Sequence, residues 1–377
     1  MQIYFLVIFS LYYFVILLFI LGWKKKGELS LINEKTLHDF ISVIVVVRNE
    51  QEHIAQLLES LSNQTVQKSQ FELIIIDDDS NDRTAYIVEQ FIEDNIMDVR
   101  LMKLESIKRG SSPKKSGITQ AVAHAKGEII AMTDGDCKVG THWLETILHS
   151  LQQDGVKFVS GPMILTGQNN LISKIQVVEF ASLIGTGGAL INLNYPLMCN
   201  GANLAFRKSA FLGVNGYKGN IDSSTGDDVF LMQKIHQAYA NSIKFLKDPK
   251  AIVSTGTQKS WSELIHQRKR WASKWNKNLL PLSWFLPVFL FIHYITILIG
   301  IFVIIIKPDI FWGVGLLLCI KFILDYVFLK KVMIFCNLRL NYSMFLLSEL
   351  IYPFYAVFFG TIVHFGNFTW KGRSHKN

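Results

Sequence analysis

The 377-residue sequence predicts an α/β domain with a mainly parallel sheet, flanked by one N-terminal and about three C-terminal transmembrane helices. Strand and helix patterns alternate through the middle of the chain, as a parallel sheet requires. Charge is uneven: residues 1–23 carry none, residues 281–377 carry 8 Lys/Arg and 3 Asp/Glu, and residues 24–280 hold the other 30 and 27. Half of all residues are hydrophobic and 18% are charged, against about 25% charged in ordinary soluble proteins, so the deficit sits in the ends. A simple soluble enzyme is excluded, and so is a transporter helical from end to end.

Residues 3–23 form an uncharged run of 21, and about 20 residues span a hydrocarbon core as a helix. The run lacks the positive start and small-residue cleavage site of a signal peptide. Residues 1–23 are therefore expected to be an uncleaved anchor. Lys24, Lys25 and Lys26 follow it and place residues 24–264, the expected water-soluble domain, on the cytoplasmic side of an integral membrane protein. "ISVIVVV" (41–47) is β-branched and apolar throughout, as in a strand buried on both faces. Ile54, Leu57, Leu58 and Leu61 then recur at helical spacing. "FELIII" (71–76), "VRLMKL" (99–104) and "EIIAMT" (128–133) repeat the strand theme.

Residues 265–280 read as an amphipathic interface segment and 281–377 as the C-terminal membrane region. Spans are expected at 282–306, with a kink at Pro287, at 310–329, and at 343–368. Strict alternation puts the tail outside, whereas Lys371, Arg373 and Lys376 favour the inside. A re-entrant hairpin around Pro353 or an unrecognised break would reconcile the two. Lys321 and Asp325 lie four apart and are expected to form an ion pair, with Glu349 snorkelling.

The net charge is +8. Without Lys24 to Lys26 and without Arg268, Lys269, Arg270, Lys274 and Lys277, residues 27–265 hold 22 Lys/Arg against 27 Asp/Glu. The basic excess marks membrane edges, where anionic lipid attracts it, and nucleic acid is not an expected partner. Four cysteines, at 137, 199, 319 and 336, are too few and too scattered for a disulfide framework.

Ligands of open parallel sheets bind beyond the carboxyl ends of the strands. Arg48-Asn49-Glu50, then Asp77 to Asp82 ("DDDSND"), then Asp134-Gly135-Asp136 follow three successive strands on that edge. Each alone reads as a solvated turn. Together they suit a phosphorylated ligand. Asp134 and Asp136 offer oxygen ligands for Mg²⁺ or Mn²⁺, which shares its other positions with phosphate oxygens. Lys115 is placed to add positive charge to the pocket. "STGDDVFL" sets Asp227 and Asp228 at a helix start, one as a capping acid and Asp228 as a general base. "QRKRW" (267–271) is either a basic interface helix or a group that reaches a pyrophosphate, with Trp271 as a flat face for a sugar. "GTGG" (185–188) follows no strand and lacks the context of a phosphate loop.

The ordered set resembles the membrane-bound family 2 glycosyltransferases, whose nucleotide-sugar-binding domain is of the GT-A type. The likeness covers roughly residues 40–280 and, more loosely, the flanking helices. By that resemblance Asn49, Glu50, Asp78, Asp79, Lys115 and Asp134 bind the nucleotide-sugar. Asp134 and Asp136 form a metal-binding DxD, and "CNGANLAFR" (199–207) is similar to the acceptor-side loop. "GDD" replaces the usual Glu-Asp pair with Asp227 and Asp228, and Gln267, Arg270 and Trp271 match QxxRW. The resemblance implies inverting transfer with Asp228 as base, from a UDP-sugar by family analogy, with GDP left open as the nucleotide. The few hydrophobic segments and the "WKGR" tail favour a membrane lipid or other hydrophobic acceptor over a polysaccharide synthase. A silent scaffold that keeps the fold is a remote third reading.

Overall fold

A computed structural model describes residues 2–25, 39–94, 96–105, 112–168, 170–221, 223, 225–272, 279–308, 311–362, 368–371 and 373–375. Lys26, Lys274, Lys277 and Lys376 of the expected basic clusters and tail lie outside these residues. The chain opens with α1 (Gln2–Lys24), β1 (Ile41–Val47), α2 (Ile54–Ser62), β2 (Phe71–Asp77), α3 (Thr84–Asp94), β3 (Val99–Lys103), α4 (Pro113–His124) and β4 (Ile129–Met132). Next come α5 (Trp143–Leu151), β5 (Phe158–Ser160), β6 (Met163–Thr166), α6 (Leu171–Asn192), β7 (Leu204–Arg207), α7 (Lys208–Gly213) and α8 (Asp227–Ala238). It closes with β8 (Ile243–Phe245), β9 (Val253–Gly256), α9 (Trp261–Ala272), α10 (Leu282–Ile306), α11 (Phe311–Phe335), α12 (Tyr342–Ile362), β10 (Phe368–Trp370) and β11 (Arg373–His375).

Two compact units result. One comprises Lys26–Thr166 and Asn194–Gly256; the other comprises Met1–Lys25, Gly167–Leu193 and Thr257–Asn377. In the first, seven strands run in the order β3-β2-β1-β4-β7-β5-β8. β1 pairs in parallel with both β2 and β4, and β2 with β3. β7 is antiparallel to β4 and β5, which makes the sheet mainly, not wholly, parallel. β6 and β9 form a small parallel pair. Order reverses at β1, between β2 on one side and β4 on the other, and ligands of such sheets bind at that switch point. β1 is almost wholly buried, which accounts for its unbroken apolar run. Ile54, Leu57, Leu58 and Leu61 bury the inner face of α2 as their spacing requires.

A fully buried carboxylate pins the opposite end of this sheet. Glu72 accepts from Ser42 Oγ at 2.5 Å and Lys126 N at 2.6 Å, and pairs with Arg100. Gly127 is confined there: a Cβ would lie 2.6 Å from Ser42 N and 2.7 Å from Phe40 O.

The second unit holds five helices long and apolar enough to cross a membrane: α1, α6, α10, α11 and α12. The sequence expectation lacked α6, because Lys174, Gln176 and Glu179 break its hydropathy. It lay inside the expected 24–264 domain, whereas the α/β unit leaves out Gly167–Leu193. The "GTGG" glycines belong to this helix and serve close packing. A Cβ on Gly185 would meet Val332 Cγ2 at 2.4 Å, and one on Gly22 would meet Ala189 O at 2.4 Å. Asn192 Nδ2 donates to Gly22 O at 3.1 Å. Thus α6 lies against the C-terminal ends of α1 and α11.

α12 continues as a helix through Pro353, so residues 342–362 form no hairpin. Leu264 of α9 packs with Phe359 of α12, and β10 packs against α9. Lys321 pairs with Asp325 as expected, at 2.7 Å, but Glu349 does not snorkel; it joins Lys321 at 2.5 Å. A carboxylate beside a buried ammonium gains more there than one reaching alone for water. Tyr12 of α1 donates to Asp325 Oδ1 at 2.8 Å.

Candidate active site

The loops after β1 and β2 are tied to each other. Arg48 donates to the carbonyls of Asp78 at 2.5 Å and Asp79 at 2.8 Å. Asn49 N donates to Ser80 Oγ at 3.0 Å, and Asn81 N donates to Asn49 Oδ1 at 2.9 Å. Asp77 accepts from Ser80 Oγ at 2.5 Å, an Asx-type turn. Asn49 and Asp79 hold φ of 52° and 61°, a left-handed conformation that Asn and Asp tolerate. Asn49, Glu50, Asp78 and Asp79 therefore meet at one sheet edge. Asp77 and the carboxamide oxygen of Asn49 are engaged in building it.

The Asp134-Gly135-Asp136 turn crosses beside the end of β1. A Cβ at Gly135 would sit 3.0 Å from Val47 Cγ1 and 3.0 Å from Glu50 Cγ, so glycine lets the turn approach. β9 braces the turn: Thr255 Oγ1 donates to Asp136 O at 3.1 Å, and Lys138 N to Ser254 O at 2.8 Å. Asp134 is half-buried and Asp136 exposed.

Lys114 joins this turn to the other acidic motif. Its Nζ lies 2.7 Å from Asp134 Oδ1 and 3.2 Å from Asp227 Oδ2. Burial opposes its charge, but Asp134, then Asp227, outweigh that and hold the ammonium above the ordinary lysine range. Asp227 and Asp228 are the first residues of α8, behind Gly226 at φ 78°, where the helix dipole favours acids. Asp228 Oδ1 accepts from Val229 N at 2.8 Å. Gly201, of the "CNGANLAFR" loop, passes so close that its Cβ would lie 3.3 Å from Asp227 Oδ2 and 3.4 Å from Lys114 Nζ. Asn203 in the same loop is structural: it accepts from Trp143 Nε1 at 2.9 Å and donates to the Pro162 and Ala251 carbonyls.

Lys115 does not fill the role the sequence gave it. It is fully buried, and its three N–H donors meet the carbonyls of Asn220, Ser223 and Thr225, each at 2.8 Å. One residue along a helix turns a side chain by about 100°, so the lysine facing the carboxylates is its neighbour, Lys114. Adjacent lysines differ in nothing a sequence displays. Lys115→Met is expected to destabilise the protein by on the order of 3 kcal/mol, since it strands buried carbonyls. Lys114→Met is expected to cost less stability. Thermal unfolding of the two variants compares them, and a reversed order would refute the assignment.

Tyr217 is a residue the motifs did not flag. Its buried hydroxyl has no hydrogen-bond partner among the described residues. Burial, then Asp227, Asp228 and Cys199, hold the phenol well above its usual range, so it stays protonated. No sequence signal marks it beyond its place ten residues before Asp227.

Gln267, Arg270 and Trp271 lie on α9, in the apolar unit. Trp271 packs near Phe180 at 6.0 Å, and Gln267 accepts from Arg268 at 2.6 Å.

Among the described residues no group of three or more His, Cys, Asp and Glu is set to hold a metal ion. The Asp134/Asp136 pair nevertheless fits one that is shared. Asp134 and Asp136 would supply two hard oxygen ligands, and a Mg²⁺ or Mn²⁺ held there would share phosphate oxygens and water.

The Glycosyl transferase family 2 model matches residues 42–212, and the Glycosyl transferase family group 2 model matches residues 129–365, more than half of the chain. The Beta-monoglucosyldiacylglycerol synthase of Trichormus variabilis is 27% identical over 234 residues, 62% of this chain and 48% of that protein. The Poly-beta-1,6-N-acetyl-D-glucosamine synthase of Staphylococcus epidermidis is 27% identical over 286 residues, 73% of this chain and 63% of that protein. The chain thus spans about half to under two thirds of the length of these relatives. The mannosyltransferase PcManGT of Pyrobaculum calidifontis, solved with GDP-Man and Mn²⁺, superposes with a TM-score of 0.56 at 16% identity, over 89% of this chain and 99% of that one. That likeness establishes the fold and bears out the GT-A-like expectation.

Proposed function

The chain belongs to the Glycosyl transferase family group 2, and from that premise we propose an inverting transfer of a sugar from a UDP-sugar to a hydroxyl of a membrane lipid or other hydrophobic acceptor. One observation carries the reading. At the point where strand order reverses, Lys114 draws Asp134 of the DxD turn and Asp227 of the helix-start pair to a single ammonium. Donor-charge handling and acceptor activation thereby share one locus.

In this reading Asp228 takes the proton of the acceptor hydroxyl, and its oxygen attacks the anomeric carbon as the bond to the diphosphate breaks. One base suffices for a single displacement. Asp134 and Asp136 would hold Mg²⁺ or Mn²⁺, which neutralises charge on the leaving diphosphate. Lys114, rather than Lys115, supplies the lysine charge beside them. Asn49, Glu50, Asp78 and Asp79 line the edge that receives the nucleotide, and Gln267, Arg270 and Trp271 act on the diphosphate and sugar.

The apolar unit supports a membrane setting. α9 precedes α10, β10 follows α12, and β10 packs against α9. Entry and exit of this three-helix segment therefore belong to the same side. An even number of crossings satisfies that: α10 and α11 cross as a pair, and α12, a continuous helix whose Phe359 packs on Leu264 of α9, does not carry the chain to the far side. Lys371 and Arg373 then lie on the same side as α9, the side that the positive-inside rule makes cytoplasmic. α6 also does not divide the α/β unit, since strands on both sides of it in sequence share one sheet.

A processive polysaccharide synthase is the second reading, favoured by the likeness to the S. epidermidis protein. The five helices long and apolar enough to cross among the described residues are few to enclose a polymer channel within one subunit. Membranes supplied with a panel of radiolabelled UDP-sugars and Mg²⁺ or Mn²⁺ are expected to place label in the organic-solvent extract. Label in a large water-soluble polymer would establish the second reading instead. No UDP release from any donor would refute both.

A further inference from the structure

Arg268 stands inside the "QRKRW" segment at a position the QxxRW pattern leaves open, yet it is the buried member of the five. It is 6% exposed. Its Nη2 lies 2.5 Å from Glu179 Oε2 and its Nε 3.2 Å from Glu179 Oε1, a bidentate pair with α6. Tyr355 of α12 completes the cluster, accepting from Arg268 Nε at 3.0 Å and donating to Glu179 Oε2 at 3.0 Å. The same guanidinium faces both neighbouring motif residues. Nη1 donates to Gln267 Oε1 at 2.6 Å, and the guanidinium carbon lies 4.2 Å from the centroid of the Trp271 ring.

We propose that Arg268 is a positioning residue, held by Glu179 and Tyr355, that fixes the carboxamide of Gln267 and the ring plane of Trp271. The proposal rests on the transferase reading for what those two residues do, but not for the network itself. Arg268 has a planar fork that meets a carboxylate with two parallel bonds, reaches a carboxamide and stacks on an indole at once; lysine has a single rotating ammonium and does none of these together. α6 and α12 thereby set the orientation of a motif carried on α9. A bolt that merely joined three helices would need Glu179 and Tyr355, but not a guanidinium presented to Gln267 and Trp271.

The test is a double-mutant cycle on the full chain in detergent or membranes, read as kcat and donor KM. Glu179→Gln is expected to lower kcat about tenfold with donor KM little changed, because a displaced motif costs turnover. In a Gln267→Ala background the same substitution is expected to cost less than about threefold, since the group it positions is gone. Arg268→Lys should behave as Glu179→Gln despite keeping the charge. Independent, multiplicative losses would overturn the proposal and leave a structural bolt. Should Glu179→Gln fail to fold, Tyr355→Phe removes one hydroxyl and is carried through the same cycle. A wild-type chain that transfers nothing would sink the transferase reading alone. The network is then read from Trp271 emission, taken as wild type minus Trp271→Phe: a shift in Arg268→Lys and Tyr355→Phe supports the proposal, and an unchanged spectrum overturns it.

Discussion

Asp228→Asn is expected to lower the turnover of sugar transfer by about 10²–10⁴-fold, the usual worth of a positioned general base. The amide is isosteric and keeps an oxygen for the Val229 N–H, 2.8 Å away. The fold should therefore lose only the charge–dipole term at the start of α8, about 0.3–1 kcal/mol. Asp227→Asn makes the contrast. Asp227 lies 3.2 Å from the Lys114 ammonium that also holds Asp134. Its loss unbalances that ammonium and is expected to appear mainly as a higher donor KM, by about 10-fold for a charge-assisted contact. The measurement is steady-state UDP release with donor and acceptor varied separately. A kcat in Asp228→Asn within threefold of wild type would remove Asp228 from the base role. A large kcat loss in Asp227→Asn with KM unchanged would transfer the role to Asp227.

What the sequence showed of this site follows from which interactions are local. β1 spans the residues its β-branched run marked, because a strand covered on both faces needs no polar position to interrupt it. The Asp-rich turns were visible because their chemistry sits at strand ends and is contiguous. Lys114 was not, since the choice between two adjacent lysines depends on the rotation of α4 against carbonyls more than a hundred residues away. The helix carrying Glu179 escaped for a related reason. A carboxylate in an apolar stretch argues against a helix of the membrane region until its partner is known, and Arg268 lies 89 residues on. β5 and β8, three residues each, are too short to show a period of two.

The same logic of distant partners governs the largest expected effect on stability. Among the described residues Lys321 is the cation facing Asp325 and Glu349, at 2.7 and 2.5 Å, with its side chain 5% exposed. Its ammonium also lies 5.6 Å from the Tyr12 ring and 5.9 Å from the Tyr294 ring. The cluster therefore links α1, α10, α11 and α12. Lys321→Met keeps the apolar stem but leaves two carboxylates facing each other without a counter-charge. Breaking a buried ion pair from one side costs about 3–5 kcal/mol, because the orphaned charge must be protonated or hydrated. Replacing the whole cluster is a different matter, since the desolvation of all three groups is relieved together. Lys321→Met is expected to lower the unfolding midpoint of the detergent-solubilised protein markedly, whereas Lys321→Met with Asp325→Leu and Glu349→Met should recover most of the loss. A single variant as stable as wild type would mean that water, not Lys321, satisfies these carboxylates. A triple variant no better than the single would mean that the three groups set helix register, which apolar packing does not replace.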